Sequence, residues 1–167
     1  MVDLGLPGDK EDIMPNWCEG TLRIRGTIEN LRNFIEKGLE PVNAIGSKED
    51  PLNVYSDDTS LFVEKYGTYY MKGSRRHFVE DSYFAANVEN PGDTAVMALN
   101  MKAAWMIDAH TLRDLCDEFH LDMRIQAFEC GMEFSQIIEI ANGEVLKNDT
   151  IKYEDWAWDC PCPKTGG

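Results

Sequence analysis

Two carboxylates that flank a short predicted turn have the spacing that acid–base chemistry requires. Glu129 ends one predicted strand and Glu133 begins the next, so the turn can hold the two side chains close together. Such a pair can act as general acid and base, or can hold Mg²⁺ for phosphoryl chemistry. With His77 or Arg76 as a third member, it forms the candidate catalytic set of a metal-assisted hydrolase acting on nucleotides or guide RNA.

The opposing interpretation is that these carboxylates do no chemistry. The chain has 30 acidic residues, and so many carboxylates produce neighbouring pairs by chance. The sequence contains no HExxH, no GxSxG and no glycine-rich phosphate loop, the motifs that mark common hydrolases. A binding function therefore ranks above an enzymatic one.

The run Arg75-Arg76-His77 is the only clustered positive charge along the sequence. Arginine can bind a phosphate or an acidic partner surface through two parallel hydrogen bonds. The alternative is that the run only offsets the carboxylates around it.

The charge balance discriminates most strongly between classes of function. The chain has 30 acidic and 16 basic residues, a formal net charge of −14. A surface of that sign repels phosphates, which disfavours direct, extended nucleic-acid binding, and it attracts basic protein surfaces. The alternative is that acidity only keeps a small protein in solution. If several acidic runs share one face, they mimic a nucleic-acid backbone and dock into a basic groove. The predicted partner-binding residues are Asp57, Asp58, Arg75, Arg76, Glu80 and Asp81.

Cysteine and histidine spacing predicts neither a metal centre nor a disulfide framework. The five cysteines are scattered and odd in number, which favours reduced thiols. Cys160 and Cys162 are separated by one residue, whereas zinc sites usually separate cysteines by about two to four and need further ligands. The histidines are isolated in sequence. We therefore predict no metal and no cofactor, with a reactive thiol pair in the tail as the alternative.

Hydrophobic patterns predict the elements that position these residues. In the opening stretch MPNWCEGTLRIRG, Leu22 and Ile24 alternate with Thr21, Arg23 and Arg25, as in a half-buried strand. Apolar residues then recur at helical spacing from 28 to 38 and again from 108 to 120. Residues 40–60 show no hydrophobic period and are predicted to form an irregular loop. Strands are predicted near 17–25, 68–71, 82–88, 94–104, 121–129, 133–141 and 145–153, the fourth nearly apolar on both faces.

This order predicts one α+β domain of the split βαβ kind, with two helices on one face of an antiparallel sheet. The domain spans 14–155 and contains a loop-and-hairpin insertion at about 40–80. Residues 1–13 are predicted to form a flexible leader, and 156–167 a frayed tail. Trp17 and Trp105 are expected to seal the core. Translation can start at Met1 or Met14.

Several segments resemble the YubB-type family of ferredoxin-like proteins encoded by bacteriophages and conjugative plasmids. The start MPNWC, followed by a strand and an amphipathic helix, is a distinctive match. Weaker similarity covers Tyr69–Val79, Ala104-Trp105, the helix Leu112–Phe119 and the FECGMEF stretch Phe128–Phe134. The resemblance implies a ferredoxin-like fold and a phage or plasmid origin, and the family has no agreed reaction.

Charge and resemblance together predict a non-enzymatic binding protein that is encoded by a phage or plasmid and lies in the cytoplasm of the bacterial host cell. The leading hypothesis is an anti-CRISPR-like inhibitor that covers the basic nucleic-acid-binding surface of a host defence nuclease. The metal-assisted hydrolase is one alternative, and a phage structural or packaging accessory protein is another. No apolar run approaches the ~20 residues of a membrane span, so no membrane association is predicted. The oligomeric state is left open.

Overall fold

A computed structural model describes residues 15–42 and 52–167 of the chain. The predicted leader and part of the predicted insertion lie outside the described residues. Strands account for 52% of the described chain and helices for 17%. The elements are β1 (Trp17–Thr27), α1 (Ile28–Lys37), β2 (Leu39–Pro41), β3 (Leu52–Ser56), β4 (Ser60–Lys65), β5 (Tyr69–Met71), β6 (Ser74–Val79), β7 (Tyr83–Asn87), β8 (Thr94–Ala104), α2 (Ala109–Phe119), β9 (Asp122–Glu129), β10 (Phe134–Ala141), β11 (Glu144–Lys152) and α3 (Trp156–Asp159).

The strands form two antiparallel sheets. Eight strands make a large sheet in the order β11-β10-β9-β1-β8-β6-β5-β2, and three make a small sheet in the order β3-β4-β7. β1 lies near the centre of the large sheet and pairs with β8 along its whole length and with β9 on its other side. Its alternating sequence fits this place, because Leu22 and Ile24 are fully buried on one face while Arg23 and Arg25 are exposed on the other.

Both longer helices and the small sheet cover the same face of the large sheet. Thr27 caps α1, accepting a hydrogen bond from the Asn30 amide, and Asp108 caps α2 in the same way. The apolar stripes of both helices join the inward side chains of both sheets in one core. On the other face, the outward side chains of β1 and β8 are exposed, so the middle of the large sheet is open to solvent.

The predicted ferredoxin-like split βαβ fold, with two helices on one face of an antiparallel sheet and a loop-and-hairpin insertion, is wrong. The described chain is mostly β, with an eight-stranded and a three-stranded sheet. Residues 52–79 do not form a separate hairpin insertion: they supply β5 and β6 to the large sheet and β3 and β4 to the small one. β5 matches the strand predicted near 68–71, whereas β3, β4 and β6 are only five or six residues long and are broken by turns, so each shows too few alternations to be recognised.

Three further expectations differ from the structure. β8 is buried on one face only, because its outward side chains stay exposed. Trp105 does not seal the core: its side chain is 46% exposed. Trp17 is half-buried on the outer face, where its ring meets the edge of Phe78 and lies under the Lys102 ammonium.

The C-terminal segment 156–167 packs against the sheet rather than fraying. Trp156 is buried with Phe128 and Cys160, and its indole Nε1 donates to the Pro163 carbonyl at 2.9 Å. The Gly167 amide donates to the Trp17 carbonyl at 3.1 Å. One large side chain and main-chain hydrogen bonds hold this segment, and neither leaves a periodic pattern in the sequence.

Candidate functional site

The predicted catalytic residues His77 and Glu129 lie in one row across the large sheet but are far apart. His77 pairs with Ala103, Ala103 with Cys18, and Cys18 with Glu129. Three strand spacings separate the two side chains, a distance of roughly 14 Å. All four residues are buried, and burial together with the Glu129 charge raises the pKa of the Cys18 thiol to about 12. The row is therefore part of the core and not a reactive centre.

The hydrogen bonds of His77 fix its tautomer in a form that cannot activate a hydroxyl. The Asp108 amide donates to His77 Nε2 at 3.0 Å, so the ring proton lies on Nδ1. That proton is donated to Ser74 Oγ, 2.7 Å away. A base must accept the hydroxyl proton, and here the imidazole donates instead. His77 thus links β6 to the start of α2.

The two carboxylates around the predicted turn have structural surroundings. Glu129 is buried, and its carboxylate accepts hydrogen bonds from the Gly131 amide at 2.6 Å and the Met132 amide at 2.8 Å. Glu133 is exposed and has a left-handed backbone with φ of 58°. Both oxygens of Glu129 thus stabilise the turn between β9 and β10, and its carboxylate has no path to a substrate in solvent.

The predicted partner-binding residues do not form one surface. Asp57 and Asp58 lie in the β3–β4 turn and line a hollow with Gly92, just before β8 begins, whereas Arg76 bonds the carbonyl of Ala104 at the end of β8. The length of β8 separates these groups by roughly 30 Å. They therefore cannot act as a single acidic face.

Most of these residues are also bound within the chain. Asp57 accepts from the amides that follow it in the turn, which lowers its pKa, and Glu80 pairs with Lys102 at 2.8 Å. Asp81 accepts from the amide of Asn100 at 2.7 Å. Arg75 is exposed on β6.

Three arginines meet on the open face of the large sheet. Arg23 and Arg25 point outward from β1, and Arg124 points outward from β9 directly opposite Arg23. They line a hollow of about 540 Å³ that crosses five strands, from Val96 on β8 to Leu146 on β11. We call this concavity the arginine hollow.

Two of the three guanidinium groups are paired, and the third has no partner in the described part of the chain. Arg25 donates from Nε at 3.0 Å and Nη2 at 2.6 Å to one oxygen of Asp122. Arg124 pairs with Glu139, its cross-strand neighbour on β10. Arg23 has no carboxylate or hydrogen-bond partner among residues 15–42 and 52–167.

The hollow combines this free positive charge with apolar surface. Val96 and Leu146 line it and are 58% and 63% exposed. A guanidinium binds phosphate or carboxylate through two parallel N–H groups, and apolar side chains beside it can contact the carbon skeleton of a ligand. The arrangement suits a molecule with an anionic end and an apolar end.

The sequence marked Arg23 and Arg25 as outward residues but did not identify the cluster. Their meeting with Arg124 depends on the β1–β9 register, which joins positions about a hundred residues apart. The signal that could have identified the cluster is the presence of like charges at outward positions of different predicted strands. The prediction that Arg75-Arg76-His77 is the only clustered positive charge holds for the sequence and not for the folded surface.

No family model, curated protein or solved structure matches the chain. Within the described ranges, no three His, Cys, Asp or Glu residues are grouped to hold a metal ion, and no helix is long and apolar enough to cross a membrane. The YubB-type resemblance stays a prediction.

Proposed function

We propose that this protein is a binding protein whose arginine hollow takes a small molecule with a phosphate or carboxylate group. The observation that carries the proposal is the guanidinium of Arg23, which no other described residue pairs with. It is exposed and stands directly opposite a second arginine, Arg124, although like charges at such positions disfavour strand pairing. A bound anion between the two would offset that repulsion.

Size and charge favour a small ligand over a polyanion. A volume of about 540 Å³ lies in the range of sites for metabolites and nucleotides. A net charge of −14 repels a long nucleic acid, whose many phosphates extend past any local positive site. A ligand with one to three charges instead experiences mainly the charges within a Debye length of about 8 Å. Those that line the hollow are three arginines and two carboxylates, Asp122 and Glu139, which leaves one positive charge in excess.

A thermal-shift titration tests the proposal. Phosphate, pyrophosphate, citrate and AMP are added at 10 mM, with sodium chloride at matched ionic strength as the reference. For a dissociation constant of roughly 0.1 mM, the ligand raises the free energy of unfolding by about 2.7 kcal/mol and the melting temperature by about 5–10 °C. AMP should bind more tightly than phosphate, because its base can contact the apolar wall of the hollow.

Matched arginine variants separate specific binding from a general salt effect. Arg23→Gln should abolish the shift, while Arg113→Gln should keep it, because Arg113 lies on α2 and pairs with Asp114 on the helix layer. Absence of a shift with all four anions, or an equal loss in both variants, would contradict the proposal.

Inhibition of a basic nuclease remains the second candidate function. It is favoured by the net charge and by exposed acidic residues on α2: Asp114, Asp117 and Glu118. These belong to the helix layer, so this function would use a different surface from the arginine hollow. A cleavage assay with a Cas9-type nuclease, its guide and target DNA should show stoichiometric, salt-sensitive inhibition with intact guide RNA. Asp114→Lys combined with Asp117→Lys, both on α2, should abolish the inhibition, and Arg23→Gln should not.

A further inference from the structure

Three aromatic rings form a row across the outer face of the small sheet. Tyr55 on β3 stands opposite Phe62 on β4, with ring centroids 6.4 Å apart, and Phe62 lies 6.0 Å from Tyr83 on β7. The planes within these pairs are tilted by only 37° and 32°. We call this row the aromatic ladder.

The ladder is open to solvent, unlike the other face of the same strands. Tyr55, Phe62 and Tyr83 are 58%, 39% and 67% exposed. On β4, the inward neighbours of Phe62, Leu61 and Val63, are buried in the core, so the core of the protein does not include the outer rings. Large aromatic side chains exposed side by side mark binding surfaces, because each ring can bury a large area with little loss of side-chain freedom.

Polar side chains that can form hydrogen bonds surround the rings. Asn53, Glu64 and Tyr83 form one cross-strand row, and Ser60 pairs with Asn87 in another. Glu64 has no ion-pair or hydrogen-bond partner in the described part of the chain. No lysine or arginine occupies an outward position of β3, β4 or β7. As far as β3, β4 and β7 themselves contribute, the face is therefore aromatic and rich in hydrogen-bond acceptors, and it carries one negative charge.

We propose that the aromatic ladder is a binding site for a neutral carbohydrate. The apolar face of a sugar ring presents C–H groups that pack against the negative face of an aromatic ring. The hydroxyl groups at its edge both donate and accept, which matches the side-chain amides and the carboxylate. The site lies on the small sheet and does not depend on the arginine hollow.

The chemistry of the face disfavours two other ligands. A nucleic acid would bring phosphates to a surface on which the three described strands place a carboxylate and no cation. A proline-rich peptide would offer carbonyl acceptors, and its prolines have no N–H, so it would leave Glu64 without a donor. A sugar supplies donors to this carboxylate.

Native gels cast with a neutral polysaccharide test the proposal. Dextran, hydroxyethylcellulose and soluble starch are the probes, and the full chain is run beside a protein of similar charge. At least one polysaccharide should retard the chain. Tyr55→Ser and Tyr83→Ser should each lower the affinity obtained from the retardation about tenfold, as expected for the loss of one stacked ring. Tyr66→Ser is the matched control, since Tyr66 is 57% exposed but lies outside the ladder.

Each other outcome would overturn the assignment. One such outcome is that none of the three polysaccharides retards the chain. The other is that Tyr66→Ser weakens the retardation as much as Tyr55→Ser and Tyr83→Ser do. Saturable binding of a decaproline peptide that fails in Tyr83→Ser would assign the ladder to peptides instead. Circular dichroism and melting curves confirm that each variant is folded, as expected for residues exposed by more than half.

Discussion

Acidification should destabilise this protein through His77. Burial lowers the pKa of His77 to about 4, against an ordinary value of 6.5. The folded chain holds the ring neutral, with Nε2 accepting from the Asp108 amide and Nδ1–H donating to Ser74. Protonation would remove the acceptor at Nε2 and place a charge in the core, so both effects disfavour the charged ring in the folded state.

The sign and size of the effect follow from the two pKa values. Between pH 6.5 and pH 4 the unfolded chain binds a proton that the folded chain does not, so the free energy of unfolding falls as the pH falls. The loss attributable to His77 is about 2 kcal/mol at pH 5 and approaches about 3 kcal/mol below pH 4. Above pH 6.5 this contribution to stability is fully present.

Urea unfolding followed by tryptophan fluorescence at pH 7.5, 6 and 5 measures this loss. In His77→Gln, an amide oxygen can replace Nε2 as the acceptor and nothing titrates. The variant is expected to be less stable at pH 7.5, but it should lose about 2 kcal/mol less than the parent between pH 7.5 and pH 5. Carboxylates titrate in both proteins and cancel in the comparison. Parallel pH profiles for the two proteins would refute the buried, neutral state of His77.

Three further substitutions test the roles assigned above. Glu129→Ala should cost about 2–3 kcal/mol in urea unfolding, because two turn amides lose a charged acceptor, and unchanged stability would show that the turn does not need it. Gln136→Leu should cost about 2–4 kcal/mol in the same assay, since its side chain bonds both the amide and the carbonyl of Ile107; a loss below about 1 kcal/mol would contradict this. Gly166→Ala should release the C-terminal segment, because its φ is 85° and a Cβ would lie 2.2 Å from the Phe128 carbonyl oxygen; faster limited proteolysis near 160 is the readout, and an unchanged rate would contradict it.

Local periodicity explains which parts of the fold could be predicted. β1 and both longer helices follow from stripes such as Leu22 and Ile24, because one buried face repeats along a single element. β3, β4 and β6 escape this logic, since a strand of five or six residues is stabilised by its neighbours more than by its own pattern. Their pairing is non-local, and the order of eight strands cannot be read from alternation alone.

The candidate site shows the same difference between local pattern and non-local pairing. The pattern correctly predicts which side chains point outward, but it does not predict that they meet. Alternation places Arg23 outward on β1, and a separate alternation places Arg124 outward on β9. Only the β1–β9 register places the two arginines directly opposite each other, and that placement is what lets them bind one anion together. A strand pair with one carboxylate for two facing guanidinium groups would be more stable with a neutral residue at either position. That the chain keeps both arginines, in a protein with a net charge of −14, is explained if an anionic ligand completes the pair. On this argument, Arg23→Gln should leave the ligand-free protein at least as stable as the parent while removing its response to phosphate.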